Sequence, residues 1–183
     1  MTDYPLHIEL PETSLARSPR PREHEPMSVH EATRNMERYL HSNIPLSAAM
    51  GVQVKVATPD HVHLAAPIAP NINHHQTVFG GSGVVLATLS AWTLLHLRLE
   101  HEGLPASLVI QRSSMEYERP IPGDFEAVCK FADDEGWQRF RTMFGRRGRA
   151  RMTLTSHLLY ATHEMGVFVG DFVALAPQSE TRP

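Results

Sequence analysis

The chain has 183 residues, 42% of them hydrophobic and 20% charged, which is enough apolar material for one packed domain and too much for a disordered chain. A formal charge of −3, from 17 Lys and Arg against 20 Asp and Glu, excludes a global basic field and with it nucleic-acid binding by the surface as a whole. Cys129 is the single cysteine, so an intramolecular disulfide and a Cys-x-x-Cys zinc or redox pair are excluded, and a reduced cytoplasmic setting is expected.

Residues 1–27 carry Pro5, Pro11, Pro19, Pro21 and Pro26 among Arg and Glu with no apolar period, which describes a tail or an arm laid across a partner subunit. Asp3, Glu9 and Glu12 interrupt any apolar stretch there, so a secretory leader is not expected. Ser28 and Glu31 form a capping box, and Val29, Ala32, Met36, Tyr39 and Leu40 predict an amphipathic helix to about His41, with Pro45 beyond its end. Met50 to Ala57 and His61 to Pro67 read as a hairpin joined by Thr58-Pro59-Asp60.

A loop, Ala69 to Phe79, then leads through Gly80-Gly81-Ser82-Gly83 into a run that is apolar nearly all round, from Val84 to Leu99, ending before Gly103 and Pro105. That run is shorter than the ~20 residues needed to span a bilayer and includes Thr88, Ser90, Thr93, His96 and Arg98, so it predicts a buried central helix and no membrane span.

Strands are predicted over Ser107 to Arg119, Asp124 to Ala132, Arg149 to Ala161 and Gly166 to Ala174. Between the second and third, Asp133 or Asp134 caps a short helix with Trp137, Phe140, Met143 and Phe144 along one stripe. Phe125, Ala127, Cys129 and Phe131 share a strand face, which makes Cys129 a small core residue. Residues 28–177 thus form one α+β domain, a curled antiparallel sheet around a long helix, with a short polar tail over 178–183. One sheet cannot cover a helix on every side, so self-association to a homodimer or higher is expected.

The chemistry concentrates between Pro70 and Ser82. Glycines at a helix start let a ligand approach the backbone, and the first-turn N–H groups have no intrahelical acceptor. Such groups at Gly80 and Gly81 can hold a developing oxyanion, helped by the helix dipole. Asn73, His74, His75 and Thr77 precede them, and His75, Phe79 and Ser82 are expected around the substrate.

The loop, the Phe-Gly-Gly-Ser start, the apolar helix with Ala91-Trp92, the strand near Gln111 and the run Tyr117-Glu118-Arg119-Pro120 with Gly123-Asp124 resemble the thioesterase family typified by the C-terminal domain of YiiD, in the hot-dog superfamily. The resemblance covers about Pro45 to Leu175. It implies a hot-dog fold, a homodimer and an acyl thioester, acyl-CoA first, as ligand, with the oxyanion donors at Gly80 and Gly81 and Asn73 steadying the loop. Two positions depart from the pattern of many relatives: Phe79 stands where they have His, and Thr88 where they have an acid. No acid occurs between Ser82 and Leu99.

The neighbouring strand offers a substitute, since Val109, Gln111, Ser113, Met115 and Tyr117 alternate onto one face. Gln111 or Ser113 could orient a water with Thr88 while His74 or His75 takes its proton; equally, Gln111 and Ser113 could serve backbone groups and both His lie on the loop surface. His61 and His63 share a strand side without a third ligand, so neither a metal nor another cofactor is expected.

Arg139, Arg141, Arg146, Arg147, Arg149 and Arg151 crowd one segment, as a solvated face or, at Arg147 and Arg149, as contacts for CoA phosphates. No aromatics alternate with them to stack bases, so nucleic acid is not an expected partner. The expected activity is acyl-thioester hydrolysis. The alternative is a non-catalytic acyl-thioester-binding module; a dehydratase of this fold needs the helix acid that Thr88 replaces.

Overall fold

The computed structural model describes residues 29–131 and 134–177. The Pro-rich tail or arm, Ser28 of the capping box, Asp133 and the polar tail 178–183 lie outside the described residues.

Helix α1 (Val29–Asn43) buries Met36 and Leu40, one turn apart, as the amphipathic pattern requires. Pro45 lies just beyond the end of α1, as the sequence predicts. It occupies the first turn of a further short helix, α2 (Pro45–Ala49), where a missing N–H costs nothing. Strands β1 (Gln53–Ala57) and β2 (His61–Ala66) form the expected hairpin, its turn closed by Thr58, whose Oγ1 accepts from the His61 N–H at 3.0 Å.

Helix α3 runs from Gly80 to His101, 22 residues, longer at both ends than the apolar run. The glycines belong to its first turn. Its C-terminus closes with Gly103 at φ +65°: the Gly103 N–H bonds Glu100 C=O at 3.0 Å and the Leu104 N–H bonds Leu99 C=O at 2.9 Å, so the last carbonyls are satisfied by a left-handed residue that only glycine adopts cheaply. At this length α3 is apolar enough to cross a membrane, yet most of its residues between Gly83 and Leu99 are buried, as in the core helix of a globular fold.

Strands β3 (Ser107–Tyr117), β4 (Phe125–Lys130), β5 (Arg149–Tyr160) and β6 (His163–Leu175) complete one antiparallel sheet of order β1-β2-β4-β5-β6-β3, with α4 (Asp134–Arg147) inserted between β4 and β5. The sheet wraps α3 through β2, β4, β5 and β6. This is the curled α+β arrangement that the sequence predicts, and the hot-dog fold that the family resemblance implies. Leu86, Leu94 and Leu95 meet Leu64, Phe125, Leu158, Phe168 and Phe172 in one core, all fully buried. Cys129 lies there too, its thiol donating to Thr155 C=O at 3.1 Å and its pKa pushed up to about 12 by burial, which makes it a core residue and no nucleophile.

The two sheet edges are treated differently. At β1, Glu37 of α1 accepts from the Val54 N–H at 2.8 Å and His41 Nε2 donates to Val52 C=O at 2.8 Å, so side chains occupy backbone groups that an edge leaves open. At the other edge β3 is exposed along nearly its whole length, Val109, Ile110 and Tyr117 included. A bulge between Ile110 and Arg112 also changes which β3 side chains share a face. Leu108 and Ile110 pair with Ala174 and Phe172, whereas beyond the bulge Ser113, Met115 and Tyr117 take that side. The expected single row from Val109 to Tyr117 is therefore broken at Gln111.

Helix α4 docks Trp137, Phe140 and Phe144 into the core while Met143 stays exposed. The Trp137 indole donates to Glu102 Oε1 at 3.0 Å and Arg98 lies over the Trp137 and Phe131 rings, tying α4 to the end of α3. Because Leu94 is fully enclosed, Leu94→Ala should cost about 2–5 kcal/mol in urea unfolding without changing the far-ultraviolet spectrum at zero denaturant.

Candidate functional site

The loop before α3 is held by its own polar groups. A 3-10 turn, Ala69–Asn71, is followed by a bridge between Ile72 and Val78. Inside that bridge the Asn73 carboxamide oxygen accepts from the His75 N–H at 2.8 Å and the Thr77 N–H at 3.2 Å, and its nitrogen donates to Thr77 Oγ1 at 3.0 Å. Gln76, at φ 61°, makes the tight reversal. Asn73 thus spends its side chain on the loop. Two main-chain bonds set the direction in which the loop enters the helix, Phe79 N–H to Asn71 C=O at 2.7 Å and Val78 N–H to Ile121 C=O at 2.8 Å.

Phe79 is the N-cap, extended at φ −63° and ψ 131°, and its side chain offers no hydrogen bond to the first turn. The first helical bond is Gly83 N–H to Phe79 C=O at 3.1 Å, which leaves the N–H groups of Gly80, Gly81 and Ser82 without an intrahelical or capping acceptor. Three uncapped donors at the positive end of a 22-residue helix suit an oxyanion.

Tyr117, at the end of β3, completes this turn. Its hydroxyl donates to Gly80 C=O in the first turn of α3. Burial raises the Tyr117 pKa and the Val84 N–H partly offsets that, so the phenol stays neutral at physiological pH. A Cβ on Gly80 would stand in van der Waals contact with Tyr117, at 3.4 Å, and one on Gly83 would press on Leu158 at 3.0 Å.

Beside this turn opens a cavity of about 370 Å³, lined by Asn73, His75, Thr77 to Gly80 and Gly83 on the helix side and by Tyr117 to Ile121 on the other. Of the expected site residues, Asn73, His75, Phe79 and Gly80 meet here. The Phe79 ring lies against Gly81, where a Cβ would approach its Cε1 to 2.2 Å, and Ser82 follows on the same turn. His74 packs its ring on His75, centroids 3.8 Å apart, and does not line the cavity.

The expected water site between Thr88 and Gln111 is not assembled within the chain. Thr88 lies two turns into α3 and its hydroxyl donates to Val84 C=O at 2.7 Å. Gln111 is six residues from Tyr117 along β3, roughly 20 Å at strand spacing, and lines a separate cavity with Arg147, Arg149 and Arg151. Ser113 is exposed and lines neither cavity. The strand runs away from the helix start, and the bulge turns Gln111 out of the row, so sequence alternation alone misplaces both residues.

Tyr117 and Glu118 join the site beyond the residues expected from the sequence. The signal was the pair of prolines, Pro120 and Pro122, which end β3 beside the glycine turn.

The arginine segment is divided. Arg139 and Arg141 pair with Glu135 and Glu102, while Arg147, Arg149 and Arg151 have no carboxylate partner among the described residues and surround a cavity of about 470 Å³. Among the described residues no three His, Cys, Asp or Glu converge as a metal site. His63 instead meets Glu126 at 3.2 Å, and burial, then Lys130, then His63 hold the His61 pKa below the ordinary imidazole value. Tyr117→Phe removes the hydroxyl bond to Gly80 C=O at the helix start, so about 0.5–1.5 kcal/mol of stability should be lost. Hydrogen exchange should accelerate selectively at the first turn of α3.

The family model described as "Putative thioesterase (yiiD_Cterm)" matches residues 33–176. Among solved structures, a protein of unknown function from Chlorobaculum tepidum TLS is 26% identical with a TM-score of 0.75, over 82% of this chain and 98% of the other. A structure titled putative thioesterase from Shewanella oneidensis is 25% identical with a TM-score of 0.69, over 81% and 99%. A thioesterase from Haemophilus influenzae, 12% identical with a TM-score of 0.63 over 86% and 97%, shares the fold. The family match spans the sheet, the central helix and the uncapped glycine turn together, and this chain belongs to the YiiD C-terminal thioesterase family.

Proposed function

We propose that the protein hydrolyses an acyl thioester, with acyl-CoA as the substrate class. The observation that carries this reading is the uncapped first turn of α3 at the wall of a mostly apolar cavity, a place for a thioester carbonyl with the N–H groups of Gly80 and Gly81 facing its oxygen. Membership of a thioesterase family supports the reaction class. Each such donor contributes about 3–4 kcal/mol toward the tetrahedral intermediate. Arg147 and Arg149, free of carboxylates among the described residues, are proposed to bind the phosphates of the CoA head group, alone or together with Arg151. The competing reading, a non-catalytic thioester-binding module, draws on α3 itself: no acid lies between Ser82 and Leu99, and the Thr88 hydroxyl is bonded to its own helix. A reducing cytoplasmic setting is proposed from the single thiol, buried at Cys129.

We further propose a homodimer built on the bare edge of β3. Two copies paired antiparallel about Ser114 place Arg112 of each opposite Glu116 of the other, on the same outward face, while pairing about either charged residue sets like charges together. The half-buried stripe Val85, Thr88 and Trp92 on α3 lies on the side that the sheet leaves least covered. Sedimentation velocity at micromolar concentration should give twice the chain mass, Arg112→Glu should shift the protein toward monomer, and adding Glu116→Arg should restore the dimer. A folded monomer in the unmodified protein removes this proposal.

Hydrolysis is tested by following thiol release across a panel of acyl-CoA esters and the matching acyl esters of N-acetylcysteamine, which lack phosphate. Gly81→Val should abolish turnover and leave folding intact, because the Phe79 ring it meets is 57% exposed and free to swing aside. Arg147→Ala with Arg149→Ala should raise KM for CoA esters at low salt and leave the phosphate-free esters unchanged. CoA binding without thiol release from any ester decides for the binding module.

A further inference from the structure

The hydrolase reading leaves open which group takes the proton from the attacking water, since Asn73 is committed to its loop and Thr88 to its helix. The cavity beside the glycine turn is lined by one carboxylate among the described residues, Glu118. Its position follows from the main chain on both sides. Tyr117 immediately before it is fixed on Gly80 C=O at the start of α3, and the Glu118 N–H is held by Met165 C=O at 2.9 Å. Glu118 thus lines the same cavity as Gly80 at the helix start. The Glu118 side chain has no hydrogen-bond or ion-pair partner among the described residues, which leaves its oxygens free for a water molecule.

His75 is the competing base. It lines the same cavity and is exposed, as Glu118 is, but it sits on the turn beside the Gln76 reversal with its ring against that of His74. Nothing fixes its imidazole toward the helix start in the way that Tyr117 and Met165 fix the backbone of Glu118.

We infer that Glu118 is the general base of the thioesterase reaction, supplying from the end of β3 the carboxylate that α3 lacks. This rests on the hydrolase reading. The Glu118 carboxylate accepts a proton from water as the water oxygen bonds to the thioester carbonyl carbon, and the carbonyl electrons move onto the oxygen held by the Gly80 and Gly81 N–H groups. Collapse of that intermediate breaks the C–S bond, and the leaving thiolate takes the proton from Glu118. The products are the carboxylic acid and the free thiol, and Glu118 returns to its starting state. A positioned base of this kind contributes about 100- to 10,000-fold.

The test uses the full chain and the acyl-CoA ester that the unmodified protein hydrolyses fastest. Glu118→Gln keeps the size of the side chain and cannot take the proton. It should lower kcat at least 100-fold with KM changed by less than threefold, whereas Glu118→Asp should retain more activity than Glu118→Gln. Glu118→Ala should be equally slow and regain rate in proportion to added formate, a response that a merely structural residue does not give. The inference is overturned if Glu118→Gln keeps more than a tenth of kcat, or if formate leaves Glu118→Ala unchanged, and a larger loss in His75→Gln then moves the role to the loop. Absence of thiol release from the unmodified protein overturns the hydrolase reading itself, whereas release that survives Glu118→Gln overturns only the choice of base.

Discussion

A helix that is apolar on almost every side has to be enclosed, and the rest of this molecule is arranged around that requirement. Leu86, Leu94 and Leu95 of α3 are fully buried, as are the residues of β2, β4, β5 and β6 that meet them. Burial of each such side chain stabilises the fold by about 1.5–3 kcal/mol. A flat sheet would touch one side of α3 only, so the enclosure depends on the curl and on the long β5–β6 pairing that carries it around the helix. The two ends of α3 are then treated in opposite ways. The C-terminal end is closed by the Gly103 turn and by Trp137 and Arg141 on Glu102. The N-terminal end keeps its donors, with Tyr117 reaching in from another strand to fix the turn without occupying its first three N–H groups.

That contrast gives the site its chemical character. A polar end left open against a largely apolar cavity is a cost to the free protein and a binding opportunity for a group that gains negative charge. The loop that leads into it is rigid for local reasons, since Asn73 satisfies the backbone of the turn that follows it. Phe79 in place of a polar cap has a consequence of the same kind: a Ser or Asp at the N-cap would bond one of the free N–H groups, and a phenyl ring cannot.

The sheet edges carry a second asymmetry. Helix α1 reaches β1 with Glu37 and His41 and blunts that edge. At β3 no comparable side chain does so among the described residues, and apolar Val109 and Ile110 remain exposed beside Arg112 and Glu116. Unpaired strand edges invite pairing with another chain. A charged pattern that matches itself in one register and repels in others is a means of restricting that pairing to a defined partner. The bulge at Gln111 serves the same strand in a second way, turning its far half so that Tyr117 faces the helix.

Much of this was legible along the chain because it rests on local period and on punctuation by proline and glycine. The apolar run from Val84 to Leu99 required a central helix, the alternation after Pro105 required long strands, and the position of Gly80 and Gly81 before that run located the helix start where the cavity opens. The burial of Cys129 followed from strand alternation in the same way. What the sequence could not determine is what depends on register and direction between distant segments. Strand alternation put Gln111 on the face of Tyr117, and a single extra residue at the bulge removed it, because one step in a strand moves a side chain to the opposite side. Thr88 lies at helical spacing from the glycines but turns its hydroxyl to Val84 C=O, the bond back to the i−4 carbonyl that a helical threonine can make within its own turn. Only the folded chain brings the end of β3, with Tyr117 and Glu118, against a turn some 37 residues earlier, since that contact is made by the curl of the sheet and by no pattern within either segment.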